Sequence, residues 1–227
     1  MLESNLHRSS QFNEELERLR DDVIKMGSLI EAQIKMATQA YTQNDVTAAL
    51  QVLENDDQVN QLEKAIDDEC IHIIAKRQPT ASDLRLIMSI GKIVTDFERM
   101  GDETKKIAKS VRNMQKPSHQ APVDMIGVRH LARMASKQLQ GALNTFATLD
   151  TAEARAVINA DDTLDAEFKS TVRQLITFMM EDPRTISAAL EMMTMARALE
   201  RIGDHTTNVA EQVIYIVEGR DVRHTSA

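Results

Sequence analysis

The chain repeats itself, and that repeat limits what it can fold into. A break at Asn44 recurs 106 residues later at Asp150, and Pro79 recurs 104 later as Pro183. Glu98 and Asp102 recur 102 later, as Glu200 and Asp204. Three landmarks at a nearly constant offset define an internal repeat of about a hundred residues. Solenoid periods are far shorter, so the repeated unit is a whole domain. The expected units are residues 1–116 and 117–227, joined at the linker-like stretch Lys116-Pro117-Ser118-His119-Gln120-Ala121-Pro122.

Breakers divide each unit into three segments whose internal period is helical. In the first segment, Leu16, Leu19, Val23, Met26, Ile30, Ile34, Ala37 and Tyr41 follow three-four spacing. In the third, Leu86, Ile90, Ile93, Phe97, Met100, Ile107, Val111 and Met114 do the same, with Thr104 as the polar interruption. In the sixth, Met192, Met195, Leu199, Ile202, Val209, Val213 and Ile216 repeat the pattern, interrupted by Thr206. Such stripes are the seams of long helices packed on one another. Asp182 before Pro183 supplies an N-cap oxygen ahead of a proline at the first helical position. After Pro79, Thr80 and Ser82 both offer a capping hydroxyl. The last helix should run to Gly219.

Composition agrees with helices. Only 3% of residues are aromatic, there is no Trp, and there are 7 glycines and 4 prolines in 227 residues, too few turn and strand formers for an all-β fold. The expected fold class is therefore all-α: two tandem three-helix bundles related by duplication, six helices in all. The 13 methionines read mainly as adaptable core filler, with a Met-rich partner groove as the alternative. A net charge of −8 argues against non-specific nucleic-acid binding. One cysteine, Cys70, gives no intrachain disulfide and fits a reducing compartment. The N-terminus has no basic segment followed by an apolar run, and no apolar stretch approaches the roughly 20 residues that span a bilayer. The expected location is cytoplasmic.

The chemistry-bearing feature is the doubled motif Glu98-Arg99-Met100-Gly101-Asp102 and Glu200-Arg201-Ile202-Gly203-Asp204. Positions i and i+4 share a helix face, so each copy sets two carboxylates side by side. Like charges at this spacing repel. A mid-helix glycine costs about 1 kcal/mol relative to alanine. Both costs fall at the same place in each repeat, so something must offset them. The stripe Leu84, Ile87, Gly91, Val94 leads into Glu98, so the carboxylates continue an apolar face.

Three readings fit this face. One is a polar layer whose carboxylates are satisfied by Arg or Lys. Another is a metal centre of Glu98, Asp102, Glu200 and Asp204, holding Fe, Zn, Mn or Mg through oxygen ligands. The last is general acid–base catalysis, for which no nucleophile or cofactor motif stands nearby. No His completes the Glu-x-x-His pattern of di-iron bundles. Asn208 and Glu211 extend the second acidic face where Lys106 and Lys109 flank the first, so the second site is expected to be richer in ligands. The runs Asp56-Asp57 and Asp161-Asp162 read as solvated faces, or as a wider cation-attracting surface with Asp57 and Asp162 as rough equivalents.

Together with these motifs, Gln11-Phe12-Asn13-Glu14-Glu15-Leu16-Glu17, the run Ile74 to Arg85, Arg173-Gln174-Leu175, Met179-Met180-Glu181-Asp182 and Arg223-His224 resemble the PhoU family over nearly the whole chain. The resemblance implies two pseudo-twofold-related three-helix bundles, with the Glu-x-x-x-Asp motifs able to bind metal. It implies no catalysis and no organic cofactor. It implies a negative regulator of phosphate uptake and phosphate-starvation signalling, coupling the phosphate transporter's ATPase subunit to a membrane sensor histidine kinase. A homodimer is expected, with no nucleic acid and membrane association only through partners. The alternative is a metal-dependent enzyme or metal-storage bundle using the acidic faces.

Overall fold

The computed structural model describes residues 2–116 and 126–222, with side chains from Ser10 onward. Its helices are α1 (Leu2–Gln43), α2 (Val46–Glu54), α3 (Asp56–Arg77), α4 (Ala81–Asn113), α5 (Ile126–Thr148), α6 (Thr151–Glu181) and α7 (Ile186–Glu218), with a short 3-10 turn at Pro183–Thr185. There is no strand among the described residues. Most of the expected linker lies outside the described residues.

The duplication is visible in the caps. Asn44 and Leu149 both turn the chain through positive φ, at 56° and 55°. Each is followed by an N-cap aspartate. Asp45 accepts from the Ala48 N–H, and Asp150 accepts from the Ala152 and Glu153 N–H groups. The break is therefore matched at 105 residues, from Asp45 to Asp150, one fewer than from Asn44 to Asp150. Asp182 caps the turn at Pro183 through the Arg184 N–H, and Gly219 ends α7 at φ 68°. Thr80 holds the N-cap position of α4, but its side chain makes no capping hydrogen bond.

One expected helix is broken. The second segment bends at Asn55 into α2 and α3, whereas its counterpart α6 is continuous. The Asn55 carbonyl accepts from the Gln33 side-chain amide of α1 at 3.2 Å, which ties down the bend. At the matching register α6 carries Ala160, the best helix former, where α2–α3 carries a poor one.

The stripes form the core. All eight residues from Leu16 to Tyr41 are buried, as are all seven from Met192 to Ile216. In α4 the stripe is buried from Ile90 to Val111, with Leu86 and Met114 half-buried at its ends. Thr104 and Thr206 reach zero exposure because each hydroxyl donates to the carbonyl one turn back, on Met100 at 2.8 Å and Ile202 at 2.7 Å. The two units join through α4 against α7, the most extensive helix contact, and share one continuous core. Polar contacts fix this seam. Asp96 of α4 takes His205 Nδ1 at 2.9 Å and the Asn208 amide at 3.0 Å, and Arg85 donates to the Ile216 carbonyl.

Candidate metal centre

The two acidic motifs occupy equivalent places, yet their surroundings differ. In the second unit, one oxygen each from Asp165, Glu200 and Asp204 lie within 4.8 Å of one another. Glu200 and Asp165 are half-buried and Asp204 is exposed, so the cluster sits at the rim where α6 meets α7. No other group of three or more such ligands occurs among the described residues. Asp161, one turn before Asp165, accepts from the Gln138 amide at 3.1 Å.

The charges strain one another. Burial, then Asp204 and Asp165, push the Glu200 carboxyl above its ordinary value. Burial, then Asp161 and Asp165, do the same to Asp204. Asp161 is also raised, chiefly by burial, although Gln138 and Thr207 act against it. A cation would relieve all three.

The first unit has solved the same problem internally. Lys105 Nζ lies 2.6 Å from Asp102 Oδ1 and 2.7 Å from Asp56 Oδ2. Burial lowers the Lys105 ammonium, but hydrogen bonds to Asp102 and Asp56 outweigh it and its pKa is raised. Asn60 donates to Asp56 at 3.2 Å. Glu98 is raised by burial and then by Asp102, and Glu63 by burial and then by Glu98. By register, Asp56, Asn60 and Lys105 of the first unit stand where Asp161, Asp165 and Thr207 stand in the second. A neutral amide and a built-in ammonium thus replace a carboxylate and a hydroxyl.

The glycines carry the same asymmetry. A Cβ at Gly203 would meet Leu164 Cδ2 at 2.2 Å, Asp161 Oδ1 at 3.1 Å and Gln138 Oε1 at 3.2 Å. Gly203 therefore lets α6 close on α7 and brings the carboxylates together. At Gly101 the nearest atom would be Ile30 Cδ1 at 3.3 Å, a looser fit.

The second-site residues suit a hard divalent cation. The donors are all carboxylate oxygens, as Mg and Mn prefer. Gln138 Oε1, beside Gly203, is buried and accepts no hydrogen bond from the protein.

The structure sorts the sequence-derived candidates. Glu200 and Asp204 come together as expected, and Glu98 lies beside Asp102. Asn208 donates its amide N–H to Asp96 at the α4–α7 seam. Glu211 is half-buried and does not join the group. The third carboxylate of the second cluster, Asp165, comes from α6. Lys106 turns to Glu103 at 2.7 Å, so the lysine that fills the first site is Lys105. Asp57 and Asp162 are both exposed, and the inward partners are Asp56 and Asp161. Asp165 is a candidate ligand absent from the sequence-derived set. Its signal was present: Asp161 and Asp165 repeat on α6 the i, i+4 spacing of Glu200 and Asp204.

Comparison with known proteins places the chain. The model of the PhoU domain matches it twice, at residues 23–111 and 128–213. The phosphate-specific transport system accessory protein PhoU homolog of Pseudomonas aeruginosa is 48% identical over 218 residues, 96% of this chain and 90% of that protein. The accessory protein PhoU of Escherichia coli is 43% identical over 223 residues, 98% of this chain and 92% of its own. The crystal structure of PhoU from Pseudomonas aeruginosa superposes with a TM-score of 0.88 at 47% identity, covering 92% of this chain and all of that one. The phosphate transport system regulatory protein PhoU from Streptococcus pneumoniae superposes at 0.86 with 25% identity, covering 93% and 99%. With two matched domains and near full-length identity, the chain belongs to the PhoU family.

Proposed function

We propose that this protein restrains phosphate uptake and phosphate-starvation signalling, through contacts with the phosphate transporter's ATPase subunit and a sensor histidine kinase. The observation that carries this is identity of 43–48% along nearly the whole chain to proteins named as phosphate-transport accessory proteins. The architecture suits such work. Long helices locked into one core offer rigid faces to partner helices and domains. No helix among the described residues is long and apolar enough to cross a membrane. In this reading the protein meets the membrane through its partners. The same reading puts the protein in the cytoplasm, as a homodimer.

The test is genetic and biochemical. Deletion of the gene should leave a phosphate-starvation reporter switched on in high phosphate, and the ATPase subunit and kinase should co-purify with the tagged protein. A deletion strain that still represses the reporter in full would falsify the reading.

The second acidic cluster supports metal binding as part of the mechanism. Asp165, Glu200 and Asp204 would hold the ion, and a hard divalent cation such as Mg or Mn, or iron, suits that donor set better than Zn. A bound cation supplies positive charge that neutralises the cluster. The protein's own part is to hold α6 and α7 at the distance that sets these oxygens together. The competing reading is a metal-dependent enzyme or storage bundle. Turnover lost in Glu200→Gln and Asp204→Asn with reporter repression intact would favour it.

A further inference from the structure

The α4–α7 seam carries a groove of about 560 Å³ that the metal centre does not use. Leu190 and Met193 give it an apolar wall, and Lys106, Arg197 and Arg201 line it with cations. Glu103 is the one carboxylate in the lining, and Lys106 at 2.7 Å and Arg201 at 3.4 Å already neutralise it. Leu190 is half exposed, at 52%. Arg197 is also exposed. The groove is thus net positive and apolar on a chain whose net charge is −8.

The repeat supplies a counterpart against which the groove can be compared. Shifting its residues by the 102-residue offset gives the mirror position at the other end of the same helix pair. There Arg197 becomes Thr95, Lys106 becomes Asn208, Leu190 becomes Met88, Met193 becomes Gly91, Glu103 becomes His205, Thr194 becomes Lys92 and Arg201 becomes Arg99. Ala198, in the groove wall, becomes Asp96, which binds both His205 and Asn208 and closes the seam. The counterpart keeps the cations Lys92 and Arg99, but its seam is closed by Asp96 with His205 and Asn208. At the other end Lys106, Arg197 and Arg201 line an open groove with one carboxylate, Glu103, among them.

We infer that this groove docks an acidic amphipathic helical segment of a partner protein, one per chain. Charge complementarity selects the carboxylates, and Leu190 with Met193 receives an apolar side chain of the segment. The inference rests on the reading that the protein works through protein contacts, and it says where one contact falls and what chemistry it needs.

The test uses the full chain and a fluorescein-labelled 15-residue helical peptide with Leu on one face and Glu on the other. Anisotropy should show saturable 1:1 binding that weakens with added salt. Arg197→Glu and Leu190→Ser should each lower affinity at least tenfold. The mirror substitutions Thr95→Glu and Met88→Ser should change it less than twofold. A peptide with Lys in place of Glu should not bind. Absence of binding by the acidic peptide, two peptides per chain, or equal weakening by the mirror variants overturns the inference. So does Arg197-dependent binding to phosphatidylglycerol vesicles in place of the peptide, which would make the groove a lipid surface. The starvation reporter reads the regulatory role whether or not the peptide binds, so the two ideas fail separately.

Discussion

Lys105 Nζ lies 2.6 Å from Asp102 Oδ1, so the first unit carries its own cation where the second unit, with Thr207 at the same register, does not. Duplicated acidic motifs have therefore reached two different solutions to one electrostatic problem. In the first, an ammonium from the same chain sits between two carboxylates. In the second, three carboxylates lie together with no lysine among them.

Converting Lys105→Thr should turn the first site into a copy of the second. Asp56, Glu98 and Asp102 would lose their counter-charge. Losing hydrogen bonds to charged groups costs about 1–3 kcal/mol. For a chain of this size that lowers Tm by about 2–12 °C in EDTA. Mn²⁺ should recover part of the loss, and should do so even when Glu200→Gln has disabled the second site. Thermal scans with and without Mn²⁺ measure both effects. No change in EDTA would show that Lys105 does not hold the cluster.

The second site should respond with the opposite sign. Asp165→Asn or Glu200→Gln removes like-charge repulsion, so the metal-free protein should gain about 0.3–0.5 kcal/mol per substitution. Its stabilisation by Mn²⁺ should vanish. The raised carboxyls Asp161, Glu200 and Asp204 bind protons more tightly folded than unfolded. Their contribution to metal-free stability is therefore unfavourable at neutral pH. It fades as pH falls through the raised values toward the ordinary 3.8–4.5. With Mn²⁺ present the slope reverses, because protons displace the ion. Urea midpoints between pH 7 and pH 5, with EDTA and with Mn²⁺, test the reversal.

How far the sequence reveals this site follows from what each residue depends on. Helix stripes such as Leu16 to Tyr41 depend on local period, and all of it proved buried. The pairing of Glu200 with Asp204 is also local, a matter of one helical turn. Asp165 belongs to another helix, and only the packing of α6 on α7 brings it near. Asn208 shows the converse. Its spacing from Asp204 is right, but its rotamer is set by Asp96 on α4, 112 residues away. The bend at Asn55 likewise depends on Gln33 of α1 and has no strong local signal.

Three glycines should separate packing from propensity. Alanine gains about 1 kcal/mol over glycine in a helix interior. At Gly91 nothing lies within 4 Å of a new Cβ, so Gly91→Ala should stabilise by roughly 0.5–1 kcal/mol. At Gly203 the Cβ would stand 2.2 Å from buried Leu164, so overpacking outweighs the gain and Gly203→Ala should destabilise by about 1–2 kcal/mol. It should also weaken Mn²⁺ binding, by pushing α6 off α7. Gly101→Ala falls between, with Ile30 at 3.3 Å. Chemical denaturation of the three variants gives the order, and a stabilised Gly203→Ala would contradict the close-approach role.

Glu15 gives an independent pH signature far from the acidic centre. Its carboxylate takes Arg77 Nε and Nη2 at 2.8 Å each, and Lys76 Nζ at 3.1 Å, clamping α1 to the end of α3. The hydrogen bonds to Arg77 are the main reason its pKa is lowered from 4.5 to about 2. A lowered carboxylate contributes stability that is complete above pH 4.5 and is lost as pH falls toward 2. The side chain retains 15% exposure, so solvent screening trims the contribution to about 1–2 kcal/mol. Glu15→Gln should therefore lower stability by that amount at pH 7, and the gap from the parent protein should close between pH 4.5 and pH 2. A gap that persists unchanged at pH 2.5 would mean that Glu15 acts by packing and not by charge.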